Sequence, residues 1–389
     1  MAQVTVPLTM YLHLPWCVRK CPYCDFNSHT AGDEPPRMRY IDALRQDLDA
    51  QASSVAGRPL SSIFIGGGTP SLFSGEEIGE ILGHVREKYD VSPDAEITLE
   101  ANPGTVECHN LAGYHCAGVN RLSLGAQSFS DVSLARLGRI HSANDINAAF
   151  HDARDGGFDN VNLDLMFALP GQTQAMALHD VEQALSLAPE HISYYQLTLE
   201  PNTVFHRRPP ADLPDEDDSA TIQDAGHAAL AAAGFKQYEI SAFALPGREC
   251  RHNLNYWSFG DYLAIGAGAH GKVTGSDGEV RRYTRPAHPQ SYMDAALAGT
   301  LTGPSAPVAE ADLAFEFLLN ALRLPGGFSE DAFRERTGLA PGLVLADLEA
   351  AAADGLLERP GPGRWCPSPR GLRFLNDLQA RFLPRPGAP

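Results

Sequence analysis

The run Tyr11-Leu-His-Leu-Pro-Trp-Cys-Val-Arg-Lys-Cys-Pro-Tyr-Cys-Asp-Phe-Asn27 carries three cysteines, Cys17, Cys21 and Cys24, directly after an apolar stretch. Their spacing is C-x3-C-x2-C. Three thiolates on one short loop can hold three irons of a [4Fe-4S] cluster, and the missing fourth cysteine leaves one iron open to a small ligand such as a chelating methionine. The loop therefore predicts an iron-sulfur site around which the rest of the chain is organised.

Two other structures could use clustered cysteines. A structural zinc site requires four ligands, usually as two separated pairs, and His13 or Asp25 could complete such a set. A zinc-stabilised scaffold without catalysis is therefore an alternative. A disulfide framework is disfavoured, because the seven cysteines are an odd number in a long chain and no export signal precedes them.

The charge balance excludes several classes of partner. The 389 residues include 48 acidic and 30 basic side chains, for a formal charge of -18. This excess argues against nucleic acid or an anionic membrane as the main partner. The N-terminal residues lack the basic start and apolar run of a secretory signal, and no apolar run is long enough to span a membrane. We therefore expect a cytoplasmic protein with no nucleic-acid partner and no membrane span.

Six apolar, β-rich stretches in the first two hundred residues alternate with helical patterns. This order predicts the α/β class, as a partial parallel (β/α)6 barrel. The predicted strands are Thr9 to Leu14, Ser62 to Ile65, Ile97 to Ala101, Arg121 to Leu124, Asn162 to Phe167 and Ile192 to Leu199. The predicted helices cover residues 37–53, 75–89, 106–117, 143–155, 174–187 and 216–233.

Two further regions follow the predicted barrel of residues 1–234. Residues 235–304 are of mixed pattern, with a predicted strand Gln237 to Phe243, and are expected to form an α+β extension. Residues 305–389 show three helices, a turn-rich hairpin and a last helix, which is the order of a winged helix. This last region holds nine Arg, no Lys and eleven Asp plus Glu, so we expect a small packing or substrate-covering domain rather than one that reads DNA.

Polar residues mark the predicted strand ends, where parallel barrels place functional groups. The turn Gly66-Gly-Gly-Thr69 would let a ligand approach the backbone closely, although a tight turn also favours glycine. Glu100, Gln127, Arg139 and Asp164 follow on later strands and loops. Charges inside apolar strands are costly unless they are paired or bind a ligand, so a structural Arg139–Asp164 ion pair is the alternative to a binding site.

These motifs together resemble the radical S-adenosylmethionine proteins related to oxygen-independent coproporphyrinogen III oxidase, over nearly the whole chain. The resemblance implies that Cys17, Cys21 and Cys24 hold a [4Fe-4S] cluster whose open iron binds the methionine amino and carboxylate groups of S-adenosylmethionine. It also implies an electron donor that reduces the cluster, so that the sulfonium is cleaved to a 5'-deoxyadenosyl radical. By the same match the cofactor-contacting positions are Tyr11, Tyr23, Gly67, Gly68, Thr69, Glu100, Gln127, Arg139 and Asp164.

Two departures separate the chain from the oxidase branch of this family. The oxidases carry another cysteine two residues after the third cluster ligand, where this chain has Phe26, and a longer segment before the cluster loop. The run His252-Asn-Leu-Asn-Tyr-Trp257 instead resembles the H-N-x-x-Y-W signature of the haem chaperone branch, of HemW type. The resemblance implies that haem contacts His252, Asn253, Tyr256 and Trp257.

The chemistry of this run agrees with haem binding. A neutral imidazole can ligate haem iron, and aromatic rings offer flat apolar surface to a macrocycle. The alternative is an ordinary histidine beside core aromatics. The primary hypothesis is a haem chaperone that delivers haem to an acceptor protein, with no residue assigned a catalytic role. The competing hypothesis is a radical enzyme that oxidatively decarboxylates coproporphyrinogen III.

Several histidines and cysteines are weaker candidates. His13 is expected to support the cluster loop as a hydrogen-bond donor rather than as a ligand. Cys250 could bring a thiolate near haem, although a lone cysteine is more often buried and inert. His270 lies in a glycine-rich stretch that could approach the barrel mouth. The remaining cysteines, Cys108, Cys116 and Cys366, show no metal-binding spacing.

Overall fold

The computed structural model of the protein describes residues 6–32, 34–104, 111–303 and 307–384. Cys108, the first residues of the helix expected over 106–117 and the expected boundary at 304/305 lie outside these ranges. None of the helices in the ranges given has the length and apolar character needed to cross a membrane.

As far as residue 232, each long strand of the chain is followed by one or more helices or by a short strand pair. The strands are β1 (Leu8–Leu14), β2 (Trp16–Cys17), β3 (His29–Thr30), β4 (Leu60–Gly67), β5 (Val91–Ala101), β6 (Arg121–Gln127), β7 (Val161–Phe167) and β8 (His191–Gln196). The helices are α1 (Arg37–Ala52), α2 (Gly75–Lys88), α3 (Leu111–Ala117), α4 (Asp131–Arg136), α5 (Ala143–Asp155), α6 (Gln174–Ser186), α7 (Val204–Arg207) and α8 (Glu216–Ala232). Capping boxes begin two of them, at Ser74 for α2 and at Ser142 for α5.

The remaining elements form the extension and the C-terminal region. The extension contains β9 (Lys236–Glu239), β10 (Ala242–Ala244), α9 (Arg251–Trp257), β11 (Asp261–Ile265), β12 (His270–Thr274), β13 (Val280–Thr284) and α10 (Pro289–Leu297). The C-terminal region contains α11 (Glu310–Ala321), β14 (Phe328–Ser329), α12 (Glu330–Thr337), α13 (Gly342–Ala353), β15 (Leu357–Gly361), β16 (Arg364–Pro367), α14 (Pro369–Arg373) and α15 (Leu375–Ala380).

The large sheet has a parallel centre and antiparallel edges. Its order is β13-β12-β11-β1-β4-β5-β6-β7-β8-β10-β9, and every neighbouring pair from β11 to β8 is parallel. The predicted α/β class with a parallel sheet is confirmed. The sheet is open, since β13 and β9 are its two edges, and residues of both β1 and β8 line one cavity. The sheet therefore curves around that cavity as a partial barrel.

Three details of the predicted elements were wrong. The segment Gln237 to Phe243 is a hairpin of β9 and β10, because the Glu239 carboxylate accepts the Ser241 N–H at 2.8 Å and stabilises a reversal there. The last barrel strand ends at Gln196 rather than Leu199. The stretch before the glycine-rich run contains β11, a seventh parallel strand that pairs with β1 in the register Leu8 to Asp261.

The interior face of the barrel is polar. Successive side chains of a strand point to opposite faces. Along β6, Arg121, Ser123 and Gln127 line the cavity, whereas Leu122 and Leu124 are buried in the core on the other face. The same alternation places polar side chains of β7 and β8 toward the cavity: Asn162, Asp164, His191, Ser193 and Tyr195. The barrel therefore encloses a cavity lined by both polar and apolar side chains rather than a filled apolar centre.

The C-terminal region has the winged-helix order of helix, strand, two helices and a hairpin. Its small sheet has the order β14-β16-β15. Its apolar core includes Phe317, Phe333 and Trp365, and it also contains Phe259 and Val280 from the extension. The Phe259 and Phe317 rings contact edge to face with centroids 5.7 Å apart. The C-terminal core is thus continuous with residues that precede it in the chain.

Candidate functional site

One cavity of about 720 Å³ brings together both groups of predicted site residues. The cysteine loop and the strand-end polar residues line it, and so does helix α9 with the HNLNYW run. Gly67 is the one predicted position that does not line it. The predicted residues that do are Tyr11, Cys17, Cys21, Tyr23, Cys24, Gly68, Thr69, Glu100, Gln127, Arg139, Asp164, His252, Asn253, Tyr256 and Trp257.

The cysteine loop is held at both ends. Cys17 lies in β2, which pairs with β3, and the Cys24 N–H donates to the Cys21 carbonyl at 3.2 Å. Trp16 anchors the start of the loop, because it is buried and packs edge to face on Tyr40 at 5.0 Å. Asn27 anchors the far end by donating through Nδ2 to the Ala267 carbonyl at 2.9 Å.

The three thiols face the cavity without meeting at one point. Across residues 6–32, 34–104, 111–303 and 307–384, no three His, Cys, Asp or Glu side chains are grouped as ligands of a single metal ion. In a [4Fe-4S] cluster each thiolate binds a different iron, so the sulfurs surround the cluster. Burial raises the pKa of the Cys17 and Cys24 thiols, so binding of iron would release their protons. The donor set fits such a cluster.

His13 forms hydrogen bonds with the end of the cysteine loop and with β1. Its Nε2 lies 2.9 Å from the Asn27 carbonyl oxygen, and its Nδ1 lies 3.0 Å from the Tyr11 hydroxyl. Because a carbonyl only accepts, Nε2 carries the proton and Nδ1 accepts from Tyr11. Burial lowers the pKa of His13 to about 4, so the ring is neutral at pH 7. His13 is thus placed as a donor to the loop, in agreement with the expectation.

The glycine turn lies against the cysteine loop. The Gly68 N–H donates to the Leu14 carbonyl at 2.8 Å, and the Thr69 N–H donates to the Trp16 carbonyl at 2.7 Å. A Cβ on Gly68 would lie 2.6 Å from the Trp16 carbonyl oxygen, which is closer than side chains approach backbone. Gly67 has a φ of +118° and its N–H donates to Glu100 Oε2 at 3.1 Å. Glycine at residue 68 therefore lets the turn approach the start of the cysteine loop, and glycine at residue 67 lets the turn donate to Glu100 of β5.

Arg139 contacts the cysteine loop directly. One guanidinium nitrogen donates to Cys21 Sγ at 3.6 Å, and the other donates to the Gly125 carbonyl at 3.0 Å and to Asn102 Oδ1. Asn102 in turn donates to Thr69 Oγ1 at 2.9 Å. Arg139 therefore places a positive charge at the Cys21 sulfur. Its partners are not those of the Arg139–Asp164 ion pair considered as an alternative, and Asn102 is a site residue that the sequence analysis did not select.

Two carboxyls lie together on the cavity wall. Burial first and the Asp164 charge second raise the pKa of Glu100 to about 8. Burial also raises the pKa of Asp164, which accepts from Asn162 Nδ2 at 2.7 Å and from Ser123 Oγ at 3.2 Å. Glu100 is thus largely protonated at pH 7. Such carboxyls can accept hydrogen bonds from hydroxyl or ammonium groups of a bound molecule.

Gln127 ends β6 in a conformation that is uncommon for a residue with a side chain. Its φ is +68°, and its Oε1 accepts from the Tyr195 hydroxyl at 2.7 Å. A residue held in the left-handed region at a cavity wall is typical of functional sites. Tyr195 of β8 was not selected from the sequence, because a tyrosine in an apolar strand gives no signal there that separates it from core.

Helix α9 closes the cavity from the amino-terminal side of the strands. The Arg251 N–H donates to Glu96 Oε1 at 2.9 Å, and Asn255 Nδ2 donates to Thr9 Oγ1 at 3.2 Å. His252 lies among aromatic rings, 5.2 Å from the Phe64 ring by centroid. Burial lowers the pKa of His252 to about 4. A neutral imidazole that borders a cavity is a suitable ligand for haem iron.

The aromatic end of α9 meets the C-terminal region. The Tyr256 and Trp257 rings contact edge to face at 4.8 Å, and the Arg323 guanidinium lies over the Trp257 ring at 4.2 Å. Arg323 also donates to Glu239 Oε2 at 3.3 Å. The C-terminal region therefore contributes a cation to the cavity wall, and this residue was not selected from the sequence.

The weaker candidates lie outside or behind the cavity. Cys250 is fully buried, and burial raises the pKa of its thiol to about 12, which favours the inert alternative over a thiolate near haem. His270 is exposed at the start of β12 and does not line the cavity. Cys116 is exposed and Cys366 is partly exposed, each as a free thiol.

Comparison with known proteins gives two matches to protein families. Residues 11–184 match the Radical SAM superfamily, and residues 308–374 match the HemN C-terminal domain. Proteins named heme chaperone HemW from Haemophilus influenzae and Escherichia coli are each 47% identical to this chain. Each alignment covers 97% of this chain and 98% of the relative. The chain belongs to the HemW family of radical SAM proteins.

The HemW-family assignment also accounts for the fold. The structure of the coproporphyrinogen III oxidase HemN from Escherichia coli, described as a radical SAM enzyme, superposes with a TM-score of 0.82. The match covers 98% of this chain and 91% of HemN at 24% identity, so it establishes a common fold and nothing about activity. The predicted radical SAM fold and the relation to both HemW and HemN are confirmed.

Proposed function

We propose that this HemW-family protein is a haem chaperone: it binds haem on the HNLNYW helix and passes it to an acceptor protein. The observation that carries the proposal is that His252 and the cysteine loop line one cavity. The names of the relatives support it, since both proteins at 47% identity are named heme chaperone HemW. The acceptor is a protein in the same compartment, which we take to be the cytoplasm.

In this proposal Cys17, Cys21 and Cys24 hold a [4Fe-4S] cluster, and S-adenosylmethionine binds beside it. The cluster, when bound and reduced by an electron donor, supplies one-electron chemistry to the cofactor. The Arg139 guanidinium places a positive charge at Cys21 Sγ, and the Gly67 N–H donates to the Glu100 carboxyl group. The residues proposed to contact S-adenosylmethionine are Tyr11, Tyr23, Gly67, Gly68, Thr69, Glu100, Gln127, Arg139 and Asp164.

Haem would contact helix α9. The neutral His252 imidazole would ligate the iron, Tyr256 and Trp257 would pack on the macrocycle, and Asn253 lines the same wall. Burial keeps His252 unprotonated well below neutral pH, so binding does not have to displace a proton. The residues of this wall are therefore chemically matched to an iron tetrapyrrole.

The experiment is a haem titration of anaerobically reconstituted protein, followed by Soret absorbance. We expect His252→Ala to weaken haem binding by about tenfold or more, since the iron loses its ligand. His270→Ala is the matched control, because His270 is exposed and outside the cavity wall. Equal loss in both variants would contradict the assignment of His252.

Two further measurements separate the competing functions. Conversion of coproporphyrinogen III by the reconstituted protein with S-adenosylmethionine and a reductant would favour the oxidase over the chaperone. Iron, acid-labile sulfide and zinc are measured on the anaerobically purified protein. Stoichiometric zinc without sulfide would contradict the [4Fe-4S] cluster and favour the zinc-stabilised scaffold.

A further inference from the structure

Arg121 is a buried arginine that the proposed cluster, cofactor and haem contacts leave unused. It is the first residue of β6, is 2% exposed and lines the cavity. Its Nε has no hydrogen-bond partner in the part of the chain that the structure describes. The carboxylates of Glu96 and Asp164 lie near enough to interact with its charge. A guanidinium buried at a cavity wall with a free donor can bind a carboxylate at two points.

The other arginines of the cavity wall are less suited to this role. Arg139 already donates to Cys21 Sγ and to the Gly125 carbonyl. Arg323 lies on the Trp257 ring and donates to Glu239. Arg19 is exposed, so water weakens any ion pair that it forms. Among the described residues the Nε atoms of Arg139 and Arg323 also lack a partner, but both side chains are only partly buried and their other nitrogens are engaged. Arg121 is the most deeply buried arginine of this wall.

Two carboxylate ligands belong to the proposed function, and the position of Arg121 favours one of them. The methionine carboxylate of S-adenosylmethionine would bind at the open iron, beside the cysteine loop. Arg121 begins β6 and Gln127 ends it, so at about 3.3 Å per residue the two ends lie up to about 20 Å apart. Arg139 contacts both Cys21 and Gly125, which places the cysteine loop near the Gln127 end. Arg121 is thus distant from the cofactor carboxylate.

Helix α9, by contrast, begins beside Arg121. Glu96 Oε1 accepts from the Arg251 N–H at 2.9 Å and from Cys250 Sγ at 3.5 Å, and both Glu96 and Cys250 interact with the Arg121 charge. His252 follows Arg251 directly. A macrocycle ligated by His252 would therefore have its edge near Arg121, and the edge of haem carries two propionates.

We propose that Arg121 binds a propionate carboxylate of the tetrapyrrole and so selects and orients the macrocycle above α9. This inference rests on the proposed haem binding and deepens it. Glu96 acts as a positioning residue, since it joins the start of α9 to the Arg121 side of the cavity.

The test compares haem with haem dimethyl ester, in which both propionates have lost their charge. Each is titrated into the anaerobically reconstituted full chain and followed by Soret absorbance. We expect the wild-type protein to bind haem about tenfold more tightly than the ester, since a charge-assisted hydrogen bond is lost. Arg121→Met is expected to bind both ligands equally, and Arg121→Lys to keep part of the preference because it keeps the charge.

Arg323→Met is the matched control, because Arg323 borders the same cavity at the opposite end of α9. It is expected to keep the preference for haem over the ester. Loss of the preference in Arg323→Met but not in Arg121→Met would overturn the inference. Equal binding of haem and ester by the wild-type protein would also overturn it, while haem binding itself would stand. Failure to bind either ligand would instead contradict the proposed function.

Two measurements keep the test decisive. Equilibrium dialysis with S-adenosylmethionine is expected to give the same affinity for wild-type and Arg121→Met protein. A weaker affinity of Arg121→Met for S-adenosylmethionine, with unchanged haem binding, would assign Arg121 to the cofactor carboxylate and overturn the inference. Thermal unfolding reports whether Arg121→Met is folded. If it is not, Arg121→Lys and the wild-type ester comparison carry the test. Either equal wild-type affinities for haem and ester or a full wild-type preference in Arg121→Lys would then overturn the inference.

Discussion

Cys21 differs from the other two loop cysteines in accepting a hydrogen bond from a guanidinium. Arg139 donates to Cys21 Sγ at 3.6 Å, whereas Cys24 Sγ has the Ser28 hydroxyl at 3.7 Å. We predict that Cys21→Ala abolishes cluster assembly and leaves the fold intact, because the buried barrel core rather than this loop supplies most of the stability. Iron and sulfide content and the midpoint of thermal unfolding measure the two effects. Cys116→Ala, at an exposed free cysteine, is the control, and global unfolding of Cys21→Ala would contradict the prediction.

Glu100 gives a prediction about pH. Its pKa is about 8 in the folded protein against an ordinary value of 4.5, so between these values the folded protein keeps a proton that the unfolded chain has lost. The free energy of unfolding of the ligand-free protein therefore falls as pH rises through this window and levels off above about 8. Glu100→Gln removes this term, since glutamine does not titrate.

The free energy of unfolding of Glu100→Gln, relative to that of the wild-type protein, should accordingly increase from about pH 5 to about pH 8, by at most a few kcal/mol. Urea unfolding at a series of pH values measures it. Glu87→Gln, at an exposed glutamate, should show no such growth. A difference between Glu100→Gln and wild type that is constant with pH would show that Glu100 is ionised in the folded protein.

At the scale of elements, the sequence predicted the parallel strands well where an apolar run was followed by a helical pattern. The sequence did not reveal β11, because that strand pairs with β1 across about 250 residues. It also lies between a helix and a glycine-rich run, outside the alternation of strands and helices that marks the other parallel strands. The expected site residues were chosen at strand ends. That rule brings Glu100 and Gln127 to one cavity but passes over Arg121, which begins its strand, and Arg323, which comes from another region.

The glycine turn after β4 gives a prediction at this scale. A Cβ at residue 68 would lie 2.6 Å from the Trp16 carbonyl oxygen and 2.7 Å from Pro15 backbone atoms, so the cysteine loop would have to move. Gly68→Ala should therefore reduce the iron and sulfide bound per chain. Gly83→Ala in α2 is the matched control, because its Cβ would meet nothing within 4 Å and alanine favours helix by about 1 kcal/mol. A full cluster in Gly68→Ala would refute the role given to the turn.

At the scale of the whole molecule, the C-terminal region forms part of the cavity wall as well as a core of its own. Arg323 lies on Trp257, and Phe259 of the extension is buried in the same core as Phe317. A separate appended domain would not share its core with Phe259, which lies two residues after the helix that carries the HNLNYW run. The C-terminal region is therefore attached to the rest of the chain through both the cavity wall and a shared core.

Phe259 is the residue with which to test this attachment. It is fully buried, contacts Phe317 edge to face, and lies under the Lys272 ammonium at 4.3 Å. Phe259→Ala should cost about 3–5 kcal/mol and loosen the C-terminal region first. Calorimetry should then show an early transition separated from that of the barrel. Phe374→Ala is the control, since Phe374 is 49% exposed, and a single transition at the wild-type temperature in Phe259→Ala would show that the two regions are joined by other contacts.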